Sequence, residues 1–434
     1  MVKKTFVALI LTVVILLSCT SGFAEADKTT VQFYFPVQLG GAAAELIEQF
    51  AAEFESANPD IEIDAVFCGN YNDTLTKLTL ALEGGDAPQL VILANGHLLT
   101  LLSMDALVCL DDYIAADGGD ELINDFYPAY MDSCIYSGSY YAMPFQRSVL
   151  AMYYNKDHFA AAGLDPEDPP KTWDELLEFG AKLTTRNEDG SIDHWGVMIA
   201  NNSGWAQQSM CISASPDSSN IFSSDGTEVY FDTEAVRAAL QYALDLQAAG
   251  ASPEGIIDEG MMPSSFIEGA VSMIAVSSGN LTNINNNVEF DYGVCTMPAK
   301  ASEMGASIAG GGNMFMIRSE GSTQEEYDAA WKFMRYMTEP EAQARWSVGT
   351  GYIASRVSAK ETETMQAYFE NLPQAAVMYD QLNSTFRETT VFANAEVNEL
   401  FVNMFESVVL GESSIDDAVT FAQSEADYIL SDYR

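Results

Sequence analysis

Basic residues are scarce. Lys and Arg together number 19 against 63 Asp and Glu in 434 residues, a formal net charge of -44. Such a surface repels nucleic acid and anionic membranes, and any anionic ligand has to be met by a local cation. Histidine is scarcer still: His97, His158 and His194 are scattered, none with a partner at ligand spacing, so no metal site is expected. Of the six cysteines none forms a CxxC pair, and Cys68, Cys109, Cys134, Cys211 and Cys295 lie in apolar surroundings that predict buried free thiols. GxSxG, HExxH and P-loop motifs are missing, and Gly310 to Gly312 lacks GxGxxG spacing. The stretch Asn187 to Asp193 mimics the middle of a calcium loop, but Thr185 and Gly196 stand where the outer acids belong, which leaves a polar turn. No catalytic set, no cofactor and no metal is therefore expected.

Long apolar runs are missing too, with one exception. Lys3 and Lys4 precede an apolar stretch, Phe6 to Leu17, too short to span a bilayer as a helix, and this reads as a targeting segment. Leu16-Leu17-Ser18-Cys19 resembles a bacterial lipobox, which implies a signal peptide over 1–19 and lipidation of Cys19; cleavage near Gly22 to Ala26 is the alternative. Both place the mature chain outside the cytoplasm.

What is there is an ordinary globular balance, 48% hydrophobic and 19% charged, over a length that predicts two domains. The chain alternates from Lys28: strand Val31–Phe35, helix Gly41–Ser56, strand Ile61–Cys68, helix Tyr71–Leu82, strand Leu90–Leu93. This β-α-β-α-β order predicts a parallel, doubly wound sheet, with ligand beyond the carboxyl ends of its strands, near Phe35, Tyr71 and Asn95. Later strands are expected at Val149–Tyr154, Trp195–Ala200, Val271–Val276, Phe290–Met297 and Ile308–Ile317, and helices after Thr172, with Glu175 as its capping-box partner, and after Ser322, with Glu325. The polar break Gln146-Arg147-Ser148 in an otherwise apolar segment is expected to face a cleft. Tyr71, Asn95, Arg147, Ser148, Trp205, Ser277, Gly311 and Tyr352 all sit at predicted strand ends, a set suited to a small polar ligand read by aromatic faces, hydroxyls and backbone N–H groups.

The run YYNKDHFAAAGLDPEDPPKTWDEL from Tyr153 resembles the signature of family 1 extracytoplasmic solute-binding proteins, the receptors of bacterial ABC importers. GNY at Gly69, SSGNLTNI at Ser277, YGVCTMPA at Tyr292, GGGN at Gly310 and TGYIASR at Thr350 are most similar to the glycerol-3-phosphate receptors of UgpB type. The resemblance implies a periplasmic-binding-protein fold: two interleaved, doubly wound α/β lobes, 28–143 plus 296–340 and 144–295 plus 341–434, joined by hinge segments. It implies ligand contacts from Tyr71, Ser148, Ser277, Gly311 and Tyr352, with Trp205 stacking on the ligand. Where the family carries a glutamate for glycerol hydroxyls this chain has Asn95, and where it carries a phosphate-binding arginine it has Thr390; Arg387 and Arg147 are the cations at hand. The expected function is reception of sn-glycerol 3-phosphate or a related glycerophosphoester for a membrane permease, by a monomeric, lipid-anchored protein. The altered pair leaves a neutral sugar, polyol or oligosaccharide as the alternative ligand, with a surface adhesin or enzyme behind it.

Overall fold

A computed structural model describes residues 28–36, 41–214, 221–300, 305–388 and 390–434; the targeting segment and Cys19 lie outside them. Two mixed five-stranded sheets organise it. The first contains β1 (Thr29–Phe35), β2 (Ile61–Phe67), β3 (Leu90–Ala94), β4 (Ala142–Ser148) and β10 (Gly310–Met316). The second contains β5 (Leu150–Asn155), β6 (Thr185–Arg186), β7 (Ile192–Ile199), β8 (Val271–Ser277) and β9 (Tyr292–Cys295). Their orders are β2-β1-β3-β10-β4 and β9-β5-β8-β7-β6.

The expected β-α-β-α-β start forms the parallel part, with β1 between β2 and β3. Its crossovers are helices Gly41–Ala57 and Tyr71–Gly84, the second opened by a capping box in which Asn70 and Asp73 satisfy each other's backbone N–H groups. The returning strands run antiparallel: β10 lies between β3 and β4, and β5 between β8 and β9. The strand pair β4 and β5 is buried along its whole length, which is why that stretch reads as almost continuously apolar.

Each sheet has its own core. Phe33, Ile47, Phe50, Leu93, Phe145, Phe315 and Trp346 belong to the first; Met152, Phe159, Leu176, Val197, Phe231, Ile274 and Phe401 to the second. The cores do not part at the expected positions. Strand β4 stays in the first sheet through Ser148, Met297 and Ala309 pack in the second core, and Trp346 and Tyr352 pack in the first. We propose lobe crossings at Val149, near Gly310 and after Tyr352, in place of 143/144, 295/296 and 340/341.

Two local expectations shift. The helix Gln324–Met337 is capped by Thr323 with Glu326, one residue later than Ser322 with Glu325, because the Thr323 hydroxyl accepts from the Glu326 N–H. Cys109 is exposed and Cys68 and Cys295 half-buried, so only Cys134 and Cys211 are the buried free thiols expected.

The candidate ligand cleft

A cavity of about 490 Å³ opens between the two sheets, a volume suited to a small ligand. Seven of the eight expected residues line it: Tyr71, Asn95, Ser148, Trp205, Ser277, Gly311 and Tyr352. A comparably large groove on the first lobe runs over Tyr113, Asp328, Trp331 and Arg335, but its polar groups already pair with each other, Arg335 with Asp117 and Tyr113 with Asp328. The cleft is therefore the better candidate.

Local chain chemistry places each side chain. Tyr71 begins the helix after β2, and Asn95 follows directly on β3. Ser277 ends β8, where its hydroxyl accepts from the Gly279 N–H at 3.1 Å and caps a short turn. Trp205 stands in the first turn of the helix Gly204–Ala214 and donates its indole N–H to Glu259 at 3.2 Å. Tyr352 follows Gly351, whose φ of 86° gives the left-handed cap that ends the helix Pro340–Thr350.

The glycine run of β10 is a matter of space. Gly311 has φ of 93°, and a Cβ there would come within 1.9 Å of the Gln146 carbonyl oxygen. At Gly312 a Cβ would meet the Tyr71 hydroxyl at 2.8 Å. The strand also bulges between Gly312 and Asn313, where pairing with β4 slips by a residue.

The polar break in β4 divides by strand alternation. Gln146 and Ser148 face the cleft side and Arg147 points the opposite way, as side chains one residue apart must. Gln146, expected to face the cleft but not counted among the ligand contacts, donates from Nε2 to the hydroxyls of Tyr71 (2.8 Å) and Tyr352 (3.2 Å). Both phenols are thereby set as acceptors toward Gln146, and the two hydroxyls also interact with each other. Burial holds both well above the ordinary tyrosine range, Tyr352 at about 12, so they stay neutral donors.

Arg147 does not reach the wall. It is fully buried, donating to Asn313 Oδ1 at 3.0 Å and to the Ala309 carbonyl at 3.1 Å, with its guanidinium 4.8 Å from the Tyr130 ring centroid. The expectation that it faces a ligand phosphate is corrected by that alternation. Thr390 and Arg387 line a small cavity beside Ser223 and Ser224, and Glu388 borders both it and the cleft.

Two carboxylates do line the cleft, and the sequence signalled neither. Glu259 sits in a short turn, raised from the usual carboxylate range by burial and partly restrained by the Ser203 and Trp205 donors. Glu388 lies in an irregular segment without period, pushed up to about 7 by burial and held from going higher by Arg147 and the Asn95 amide. Among the described residues no lysine or arginine lines this cavity, and no group of three or more His, Cys, Asp or Glu is placed to hold a metal ion. Chemically, the wall offers phenol donors, carboxylate acceptors and one large aromatic face.

Comparison with known proteins agrees with the geometry. Residues 49–374 match the family model described as bacterial extracellular solute-binding protein. The chain is 30% identical over 367 residues to the sn-glycerol-3-phosphate-binding periplasmic protein UgpB of Salmonella typhimurium, covering 82% of this chain and 80% of that one. It is 29% identical over the same length to UgpB of Escherichia coli K12. Among solved structures, UgpB of Mycobacterium tuberculosis in complex with glycerophosphocholine superposes with a TM-score of 0.79 at 22% identity, over 93% of this chain and 99% of that one. The cyclic α-maltosyl-1,6-maltose binding protein of Arthrobacter globiformis gives 0.78 at 22% identity, over 93% and 100%. A cleft between two such lobes and a family match over most of its length lead to one conclusion: this chain belongs to the bacterial extracellular solute-binding proteins, the receptors that serve ABC importers.

Proposed function

We propose that the solute received here is a neutral polyhydroxylated molecule, a sugar, polyol or oligosaccharide. The observation that carries this reading is the cleft wall itself: Glu259 and Glu388 line it, and among the described residues no lysine or arginine does, with the Arg147 guanidinium lying behind it. A phosphate monoester would meet Glu259 and Glu388, each to the extent that it is ionised, with no lysine or arginine among the described residues on the wall to oppose them. Hydroxyls suit it instead, donating to the carboxylates and accepting from Tyr71 and Tyr352, with Trp205 against a carbon face.

A second reading, sn-glycerol 3-phosphate or a related glycerophosphoester, is supported by the UgpB relative at 30% identity. In both readings the lobes close on the ligand, because the full set of contacts from Tyr71 and Asn95 on one side and Trp205 and Ser277 on the other exists only in the closed state. The closed form then delivers its cargo to the permease as a monomer, held at the membrane through lipid on Cys19. Isothermal titration of the mature chain with maltose, glycerol and sn-glycerol 3-phosphate tests the choice. Heat with a neutral probe supports the first reading; micromolar or tighter binding of the phosphate alone replaces it with the second.

A further inference from the structure

We propose that a seam beside the ligand cleft, in which Leu99 and Tyr136 of the first lobe meet Gly226 and Phe392 of the second, is a latch that holds the lobes closed before any solute enters. The inference rests on the reading of a receptor whose lobes close, and on neither choice of solute.

Leu99 carries the first contact. It is 3% exposed, yet among the described residues it packs in neither lobe's core. What covers it is the other lobe. A Cβ on Gly226 would stand 2.3 Å from Leu99 Cδ1, 3.1 Å from the Thr390 carbonyl oxygen and 3.4 Å from Val391 Cα. A side chain at 226 would push Leu99 out, and the φ of 75° favours glycine as well. The turn that presents Gly226 is fixed by Ser223, whose Oγ accepts from the Thr227 and Glu228 N–H groups at 3.0 and 2.9 Å. The Gly226 carbonyl accepts from the Phe392 N–H at 2.9 Å, which ties the turn to the segment 390–392.

A second contact crosses at the same place. Tyr136 stands beside the two-residue turn of a hairpin, Ile135–Tyr136 with Ser139–Tyr140, where Ser137 and Gly138 have φ of 51° and 87°. Its ring meets Phe392 edge to face with centroids 6.4 Å apart, and Tyr433 stacks on Phe392 at 4.8 Å. Tyr136 packs against the first core and Phe392 against the second, so the pair joins the lobes. The cavity left between the two sides is about 30 Å³, room for little more than a water molecule. None of Leu99, Tyr136, Gly226 and Phe392 lines the ligand cavity.

A contact that exists only while the lobes are together raises the closed fraction of the ligand-free chain. Apparent affinity then rises by the same factor for every solute. A residue that touches ligand favours one chemistry; the latch favours all of them equally.

Small-angle scattering of the ligand-free mature chain, native and with Leu99→Ala, Tyr136→Ala or both, tests the latch, with a urea midpoint to verify folding. The native chain should scatter with the dimensions of the closed structure, and each variant should show a larger radius of gyration. Titration with maltose and sn-glycerol 3-phosphate should show a loss of about tenfold in the double variant, the same for every probe that binds. Tyr136 is half-buried, so its variant keeps the test open if Leu99→Ala unfolds. Ligand-free variants that scatter like the native chain overturn the latch; if all of them still compact on adding solute, the closing receptor stands. A loss confined to one of two binding probes also overturns the latch and moves these residues into the ligand site. A solute that binds the open double variant without compacting it overturns the closing receptor together with the latch.

Discussion

Asn95 and Arg147 donate to one and the same acceptor, the Ala309 carbonyl oxygen, at 2.9 and 3.1 Å. One residue is on the cleft wall and the other behind it, so a single backbone atom just before β10 orients the Asn95 amide and anchors the buried cation. The guanidinium is thus structural. Arg147→Met should lower stability by about 3 kcal/mol, since Asn313 Oδ1 loses its charged donor and the packing on Tyr130 changes. A urea midpoint unmoved by that substitution, with phosphate affinity abolished, would restore Arg147 to the site.

Gln146 is the hub between Tyr71 and Tyr352. Gln146→Leu keeps bulk but frees both phenols to rotate, so ligand affinity should fall about tenfold, or 1.4 kcal/mol, with little change in the folded core. Titration calorimetry checks it. Unchanged affinity would mean that the two hydroxyls are aimed by something other than Gln146.

Much of this arrangement was legible in the sequence for a simple reason. Parallel strands end on the ligand side of a sheet, so Tyr71 and Asn95 could be placed by position alone, and Ser277 at the end of β8 followed in the same way. Arg147 misled because three consecutive polar residues in a strand buried on both faces give no phase: period-2 alternation decides which of Gln146, Arg147 and Ser148 faces the cleft, and buried neighbours on both faces hide it. Glu388 and Glu259 were out of reach for another reason. Glu388 lies in irregular chain and Glu259 in a three-residue turn, both too short for periodicity to assign a face, in a sequence with 63 acids that makes any one of them inconspicuous. The change of sheet between β4 and β5 was hidden similarly, since the two read as one apolar run.

Trp205 combines a ring and a donor, and two substitutions separate them. Trp205→Ala should weaken ligand by about 1–3 kcal/mol through loss of a desolvated aromatic face. Trp205→Phe keeps a smaller ring and removes the indole N–H that holds Glu259, so it should recover part of that loss. Equal losses in both variants would assign the role of Trp205 to positioning Glu259.

Gly311 offers a stability test independent of any ligand. Its φ is 93°, and the Gln146 oxygen lies 1.9 Å from where a Cβ would stand, so Gly311→Ala must displace β4 or β10. The cost should be about 2–3 kcal/mol, read as a lowered urea midpoint. Gly84→Ala, where a Cβ meets nothing within 4 Å, is the control expected to leave the midpoint almost unchanged.

The pH dependence of stability has two opposed contributions that variants can pull apart. His158, half-buried and stacked on His194 with ring centroids 4.0 Å apart, is lowered to about 4 by burial first and by its neighbour second, with Asp157 and Asp193 opposing. His97 is lowered to about 4 by burial. For both, the unfolded chain takes up a proton below the ordinary value of 6.5 while the folded chain resists it, so the stability they contribute is present above 6.5 and lost as pH falls toward 4. Glu388 acts in the other direction. Raised from 4.5 to about 7, its folded form holds the proton more tightly than the unfolded chain, so its contribution is greatest below 4.5 and is lost as pH rises through 7. His158→Gln should therefore flatten the acid side of a denaturation series run from pH 4 to 8, and by only part of the loss, since His97 remains. Glu388→Gln should flatten the neutral side, and a neutral ligand donating to the carboxylate should mimic it in the native chain by restoring stability near pH 7.5. A ligand that instead binds more tightly as pH drops below 7 would require a protonated Glu388 donating to an acceptor oxygen of the solute.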